Sequence, residues 1–142
     1  MSSEDPNFVM PFIDGLKPHT LITVQIEIPA DCKQFAIDLC KDAENRIFHF
    51  NPRFQCPPYT VCNTMINNVW GKQEIKSDNF PFVRGQAYEV KIECEEDYLT
   101  VYVDGNFYTK YACRVTPLPL IKTVETFHDV NTCMVIASPM QD

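Results

Sequence analysis

Apolar and polar residues alternate along several short segments of the chain, and this pattern restricts the fold more than any other feature. Successive side chains of a β-strand point to opposite faces of a sheet, so a period of two predicts strands with one buried face. No segment shows an apolar period of 3.6 residues long enough for a helix, and eleven prolines are scattered along the chain. The alternating segments are residues 22–28, 35–39, 90–94 and 99–103.

Turn residues separate these segments at short intervals. The sequence Asp-Gly-Asn at 104–106 is typical of a tight hairpin turn, and Gly15 and Gly85 indicate further turns. A single sheet would leave one face of every apolar row in water. The 142 residues therefore predict one all-β domain over 1–142, a two-sheet antiparallel β-sandwich, with residues 1–7 as a frayed end.

Charge and hydropathy argue against two classes of partner. The chain has 19 acidic and 12 basic side chains and a net charge of −7, so we expect no nucleic-acid binding. No apolar run approaches the roughly 20 residues of a membrane span, so we expect no membrane insertion. The first ten residues lack the basic flank and apolar core of a signal peptide, which leads us to expect a cytoplasmic protein.

Cysteine, histidine and glycine usage argues against cofactors. Seven cysteines form no CxxC pair, and the three histidines show no metal-ligand spacing, so we expect free thiols and no metal site. Four glycines are too widely spaced for a phosphate-binding GxGxxG loop or a GxSxG nucleophile elbow. We therefore expect no cofactor.

The segment RIFHFNPRF at 46–54 carries an informative row of polar residues. If it forms one strand, its phenylalanines enter the core, and His49, Asn51 and Arg53 project together from the other face about 7 Å apart. Outward residues of any strand are commonly polar, so this row alone does not separate a binding site from an ordinary solvated face.

A second cluster surrounds the single tryptophan, Trp70. Its neighbours at 67–68 and 71–73 are polar or glycine, which predicts an exposed indole ring. Asn63, Glu74 and Lys76 lie close to it in sequence. An aromatic face packs against the aliphatic side of a pyranose ring, while amide, imidazole, guanidinium and carboxylate groups match its hydroxyls. Together the two clusters predict a sugar site.

The motifs HFNPRF, VCNT and the following W-G resemble the carbohydrate-recognition domain of the galectin family. Further similarity runs along nearly the whole chain, in PFIDGLKPHT, FAIDL, FPFVRGQAYEVKIE and LTVYVDG. The resemblance implies a jelly-roll-like, concanavalin-like lectin sandwich that binds β-galactosides such as lactose or N-acetyllactosamine on one sheet without metal. It also implies glycoprotein and glycolipid partners, and export to the extracellular space without a signal peptide.

The resemblance assigns roles residue by residue. His49, Asn51 and Arg53 would hydrogen-bond the axial 4-hydroxyl of galactose, with Arg53 also near the ring oxygen. Trp70 would stack beneath the galactose ring. Asn63 would bind the 6-hydroxyl together with an acidic residue that follows the tryptophan. Family members also pair through terminal strands, which implies a homodimer edge or a core role for Phe8, Met134 and Ile136.

The chain departs from the family pattern after the tryptophan. The usual W-G-x-E-x-R is replaced by WGKQEIK at 70–76, so two registers are open. Counting back from Phe80 places an insertion directly after Trp70, which puts Glu74 and Lys76 on the sugar face and turns Ile75 toward the core. We favour this interpretation, because an isoleucine is expected to face the core. Without a gap, the sugar-facing pair would be Gln73 and Ile75.

Two other functions are compatible with a β-sandwich of this kind. A glycosidase needs two carboxylates about 5 to 10 Å apart across the scissile bond, and Glu74 is the one carboxylate in the cluster, so we expect no enzyme. The alternative to a lectin is a galectin-fold protein-interaction module with weak or lost sugar binding. Cys56 and Cys62 flank the site, where they either make binding redox-sensitive or are simply reduced structural thiols, which we favour.

Overall fold

The computed structural model describes residues 5–141 of the chain and shows an all-β protein. Twelve strands and one short 3₁₀ turn are present within this range. The strands are β1 (Phe8–Pro11), β2 (Thr20–Glu27), β3 (Phe35–Asp42), β4 (Asn45–Arg53), β5 (Tyr59–Ile66), β6 (Val69–Trp70), β7 (Glu74–Lys76), β8 (Ala87–Cys94), β9 (Tyr98–Val103), β10 (Asn106–Ala112), β11 (Thr123–His128) and β12 (Asn131–Pro139), and the turn is Leu118–Leu120.

Two antiparallel sheets are stacked face to face. Within residues 5–141 the larger sheet has seven strands in the order β1-β11-β3-β4-β5-β6, with β7 also paired to β5. The smaller sheet has five strands in the order β10-β9-β8-β2-β12. This arrangement confirms the predicted two-sheet sandwich. Among the described residues, no helix has the length and apolar character needed to cross a bilayer.

At the amino-terminal end, hydrogen-bonded structure begins at a lower residue number than expected. Residues 1–4 of the predicted frayed end lie outside the described residues. The backbone amide of Asn7 donates to the Thr126 carbonyl at 2.7 Å, and β1 follows at once. Asn7 is therefore tied to β11 and does not belong to a frayed end.

The apolar rows of the alternating segments meet between the sheets. Ile22, Val24 and Ile26 of β2 and Phe48 and Phe50 of β4 are all buried in one core cluster, as their spacing predicts. Burial of such side chains stabilises a fold by roughly 1.5–3 kcal/mol each. The core thereby sets which face of β4 carries its polar side chains.

The centre of the larger sheet departs from the expected half-buried strands. Asp38 and Asn51 are also buried, although they lie on the face directed away from the core cluster. Polar groups tolerate this only when they are hydrogen-bonded, and no buried side-chain nitrogen or oxygen among the described residues lacks a partner. The outer face of the larger sheet is therefore a polar surface whose buried groups are all hydrogen-bonded.

A bulge interrupts the regular alternation of β4. Its register against β5 shifts between Arg46 and His49, and residues 47–48 between them are both buried. A bulge re-aims the side chains on one side of it. Arg46 and His49 consequently reach the same outer face, although they are three positions apart.

Gly15 provides a test of the packing between loops. It has φ +85°, and a Cβ there would overlap the Pro119 carbonyl. We expect Gly15→Ala to lower the free energy of unfolding by about 2–4 kcal/mol, measured by urea denaturation. The matched control is Gly85→Ala, which has φ +80° but no atom within 4 Å of its Cβ and should cost about 1 kcal/mol. Equal losses would contradict the role of the Pro119 contact.

Candidate functional site

A groove of about 450 Å³ crosses the outer face of the larger sheet. Five of the seven residues predicted for the site line it: His49, Asn51, Arg53, Asn63 and Trp70. Glu74 and Lys76 do not. Gln73, which the register without a gap places on the sugar face, also lines the groove. The other lining residues were not predicted as sugar contacts, and they are Gln34, Arg46, Val61, Gly71 and His128.

Strand register brings the polar residues of the groove together. His49 of β4 lies directly opposite Asn63 of β5, and Asn51 lies opposite Val61. Directly opposed residues of an antiparallel pair share a face of the sheet. The prediction that β4 directs its phenylalanines inward and its polar row outward is confirmed.

The polar row is less exposed than expected, because its members are held by hydrogen bonds. His49 is 7% exposed and Asn51 only 1%. The Asn51 amide nitrogen donates to the Phe35 carbonyl at 2.7 Å and to Gln34 Oε1 at 3.2 Å. Its oxygen accepts from Arg53 Nε at 2.9 Å. Hydrogen bonds therefore fix the orientation of these side chains, which form the floor of the groove.

The buried carboxylate of Asp38 orients two groove residues. Asp38 lies opposite His49 across the β3–β4 pair, with its Oδ1 2.8 Å from His49 Nδ1. Arg46 Nη1 donates to its Oδ2 at 3.2 Å. A carboxylate facing Nδ1 favours the tautomer with the proton on that nitrogen. In the neutral ring, Nε2 is then an acceptor for a hydroxyl in the groove.

Arg46 is a groove residue that strand periodicity could not find, because the β4 bulge changes its face. Its guanidinium carbon lies 4.5 Å from the Phe127 ring centroid and 5.8 Å from that of Trp70. Asp38 was also missed, although it is the polar residue of FAIDL that alternates with buried apolar neighbours. The strand pairing that places Asp38 opposite His49 identifies its role, but the sequence alone does not show that pairing.

Trp70 is half-exposed, as its polar neighbours predict. It is 42% exposed, and its ring centroid lies 4.6 Å from that of His49 at an interplanar angle of 47°. β6 aligns Trp70 with Met65 of β5, at the edge of the groove. The indole therefore forms an apolar wall beside the hydrogen-bonding floor.

Arg114, in the loop after β10, forms hydrogen bonds that hold the side of the groove around Asn63. Its Nη1 donates to Asn63 Oδ1 at 3.0 Å, and its Nη2 donates to the Lys72 carbonyl at 2.6 Å and to Glu74 Oε2 at 3.0 Å. The Asn63 amide nitrogen in turn donates to the Gly71 carbonyl at 2.9 Å. This network fixes the orientation of the Asn63 amide. Nothing in the sequence pattern pointed to Arg114.

Steric crowding explains why a glycine follows Trp70. A Cβ on Gly71 would lie 2.9 Å from Arg114 Nη1 and 3.3 Å from Asn63 Oδ1. Both atoms belong to the hydrogen bond that orders the loop, so neither can move freely. The W-G pair thus combines an exposed ring with a close backbone approach.

The predicted placement of Glu74 and Lys76 is wrong. β7 pairs with β5 so that Ile75 lies opposite Val61, on the groove face. Its two neighbours in the strand therefore point to the other face, because side chains alternate. Ile75 is 56% exposed and not part of the core. Gln73, and not Glu74, lines the groove.

Ion pairs beneath β7 explain this register. Glu74 pairs with Arg114 at 3.0 Å. Lys76 pairs with Asp78 at 3.2 Å, and its nitrogen lies 5.5 Å from the centroid of the Tyr108 ring. Both charges thus find partners on the side of the smaller sheet, while the groove face of this edge strand accepts an apolar residue. Relative to the W-G-x-E-x-R pattern of the family, this register implies an extra residue after β7, before the FPF segment, and not directly after the tryptophan.

The two cysteines that flank the site differ in environment. Cys56 is exposed, whereas Cys62 is buried beneath the groove. Burial, with a smaller contribution from the charge of Glu74, raises the pKa of the Cys62 thiol to about 12. Its thiol therefore stays protonated at neutral pH, as expected of a structural residue. All seven cysteines are free, and no cluster of three potential metal ligands occurs within residues 5–141.

The sandwich and its polar groove with an aromatic wall define a sugar-binding lectin domain, and comparison with known proteins identifies its family. Residues 7–135 match the family model described as galactoside-binding lectin. The chain belongs to this family, the galectins. Lectins bind sugars without transforming them, so family membership confirms the expectation of a non-enzymatic protein.

Individual relatives agree with this assignment. The chain is 34% identical over 129 residues to rat galectin-8 and 32% identical over 124 residues to dog galectin-3, covering 87% and 86% of this chain. It spans only 40% and 41% of the length of those two proteins. Among solved structures, the homodimeric agglutinin CG-16 from chicken liver superposes with a TM-score of 0.82 at 26% identity, covering 92% of this chain and 98% of that one.

The difference between the two flanking thiols is testable by alkylation. In the folded protein at pH 7.5, we expect iodoacetamide to modify Cys56 and to leave Cys62 unmodified, because a thiol with a pKa of about 12 presents almost no thiolate. Peptide mass spectrometry would measure both sites. Equal labelling of the two would contradict the buried placement of Cys62.

Proposed function

We propose that the protein is a β-galactoside-binding lectin whose groove holds a terminal galactose. The observation that carries this proposal is the convergence of five side chains on one groove, the polar ones already oriented by neighbours: His49, Asn51, Arg53, Asn63 and Trp70. Preoriented groups lose little conformational entropy on binding. The family assignment supports the same conclusion.

The floor of the groove suits the axial 4-hydroxyl of galactose. His49 offers Nε2 as an acceptor, because Asp38 occupies its Nδ1. Arg53 uses Nε toward Asn51, and its terminal nitrogens donate to no other described residue. Glucose carries this hydroxyl equatorially and would leave these buried groups unpaired, which costs about 1–3 kcal/mol for each such group.

The wall and the far side of the groove complete a galactose subsite. The exposed face of Trp70 offers an apolar surface to the C–H groups of the ring. Asn63 keeps one amide hydrogen beyond its bond to the Gly71 carbonyl, and Gln73 lines the same end of the groove. These two amides are suited to the 6-hydroxyl, with Gln73 replacing the usual acid.

The alternative of a protein-interaction module rested on the register that places Gln73 and Ile75 on the sugar face. The structure has that register, but all five residues that we propose for the galactose subsite still line the groove. Sugar binding is therefore the better supported function. The register of β7 changes only the position next to the proposed galactose subsite.

Sugar titration tests this proposal. By calorimetry under reducing conditions, lactose and N-acetyllactosamine should bind and sucrose should not. Trp70→Ala and Arg53→Ala should each weaken lactose binding by about 2–3 kcal/mol, roughly 30- to 150-fold. Phe107→Ala is the matched control, because Phe107 is an exposed aromatic residue on the smaller sheet.

Three outcomes of the titration would count against the proposal. Sucrose binding as well as lactose would remove the galactose selectivity. Unchanged affinity in both site variants would place the sugar elsewhere. No heat at millimolar sugar from folded protein would favour the interaction-module alternative.

The partners and location of the protein follow from the same proposal. We infer that its ligands are glycoproteins and glycolipids that end in β-linked galactose. Seven free cysteines support residence in the reducing cytoplasm, with family-like export to the extracellular space without a signal peptide. Outside the cell, a free exposed thiol such as Cys56 would be open to oxidation.

We further propose a homodimer formed by edge strands. β1 ends the larger sheet and β12 ends the smaller one, so each leaves one edge unpaired within residues 5–141. A depression of about 610 Å³ is lined by residues 10–13 and 135–139, which shows that the two edges lie side by side. Exposed Val9 and Ile136 lie on these strands. A second copy could extend both sheets, and the chicken agglutinin is homodimeric.

The residues suggested for this edge lie where such a dimer needs them. Phe8 is on β1, and Met134 and Ile136 are on β12. None of the three belongs to the core cluster of buried residues. Their position therefore supports an edge role over a core role.

Sedimentation velocity tests the dimer. We expect Ile136→Lys to convert a dimer into a monomer, because a buried, unpaired ammonium would oppose the contact. Phe107→Lys places the same charge on β10, at the opposite edge of the smaller sheet, and should leave the dimer intact. A wild-type monomer, or dissociation by both variants, would contradict the proposed interface.

A further inference from the structure

We propose that the groove recognises the group attached to the anomeric oxygen of galactose by apolar contact with Ile75, and so favours β-galactosides with an aromatic or alkyl aglycone over those followed by a polar sugar. This inference rests on the proposed galactoside function. It adds the chemistry of the position that follows the galactose.

Ring chemistry determines where that position lies. In galactose the ring oxygen joins C5 to C1, and C4 lies across the ring from C1. With the 4-hydroxyl on the β4 row and the ring oxygen beside Arg53, C1 projects past Arg53, away from Asp38 and His49. The group on the anomeric oxygen therefore lies over the adjoining parts of β4, β5 and β7.

The floor at that end of the groove is apolar. Val61 and Ile75 lie opposite each other on the groove face of β5 and β7. Tyr59 lies opposite Arg53, and the guanidinium carbon of Arg53 is 5.9 Å from the centre of its ring. Adjacent strands are about 4.8 Å apart, so Ile75 is about 10 Å from the backbone of β4, within reach of a ring attached to galactose.

The charged groups of β7 are directed away from this end. Glu74 is engaged by Arg114, and Lys76 by Asp78, on the side of the smaller sheet. Gln73 lines the other part of the groove, beside Gly71. A second sugar would therefore place hydroxyls against Ile75 without a charged donor from β7. An aromatic or alkyl group would instead remove apolar surface from water.

Three ligands separate these possibilities by calorimetry on the full chain. Methyl β-galactoside reports on the galactose subsite, lactose adds a polar sugar, and phenyl β-galactoside adds an aromatic ring. We expect lactose to bind within about twofold of methyl β-galactoside. We expect phenyl β-galactoside to bind about fivefold more tightly, the effect of burying about 40 Å² of apolar surface.

Variants at β7 assign the effect to a side chain. Ile75→Ala should reduce the preference for phenyl over methyl β-galactoside to about twofold or less. Ile75→Arg should raise lactose affinity relative to methyl β-galactoside by about tenfold, because it supplies a charged donor. Lys76→Ala is the matched control and should leave all three affinities unchanged, since its side chain lies on the opposite face of β7.

Each remaining outcome would overturn the inference. Wild-type lactose affinity more than tenfold above that of methyl β-galactoside would show polar recognition of the second sugar. A loss of lactose affinity in Lys76→Ala would show that Lys76, and not Ile75, serves this position. If no galactoside binds, the proposed function fails and this inference with it. Binding of methyl β-galactoside without a phenyl preference rejects the inference alone.

Discussion

The antiparallel register of β4 between β3 and β5 is the constraint on which the rest of the molecule depends. It directs Phe48 and Phe50 into the core, and the same alternation places His49 and Asn51 on the outer face. A shift of one residue would reverse both sets and bury the polar row among apolar side chains. Core packing therefore enforces the groove, since the register that buries the phenylalanines is also the one that assembles the polar residues of the groove.

Two hydrogen-bond networks, one buried and one partly exposed, then orient the side chains that the register assembles. Asp38, fully buried, holds His49 and Arg46 by one carboxylate. Arg114 reaches across from the loop after β10 and holds Asn63 and the loop after the tryptophan. Burying the Asp38 charge is costly unless it has partners, and an exposed ion pair such as that of Arg114 with Glu74 adds little stability, so both networks contribute more to site geometry than to stability. A groove with oriented donors and acceptors suits a small neutral ligand whose hydroxyls differ only in direction.

Sequence reasoning predicted the sandwich because strand periodicity and turn residues are local properties. It also predicted five groove residues, because the family motifs name them and period two assigns their face. It did not predict Arg46, because the bulge in β4 inverts the parity between Arg46 and His49. It missed Arg114 because no local pattern links a loop residue to a side chain 51 positions away.

The position of the extra residue is another feature that local sequence patterns could not determine. A preference for burying Ile75 favoured a register with the insertion directly after Trp70. The structure instead leaves Ile75 on the groove face, because Glu74 and Lys76 find ion-pair partners on the other side of β7. That choice depends on Arg114 and Asp78, which are outside β7.

The sequence by itself determined the all-β sandwich, the family and five of the residues that line the groove, since alternation, turns and short motifs act over a few residues. Only the tertiary structure decided how deep the polar floor lies, which charges orient it, and which side chain of β7 lies on the groove face. These features arise from contacts between strands and loops that are distant in the chain. Their energies depend on burial and partner geometry, which appear only when the two sheets are assembled.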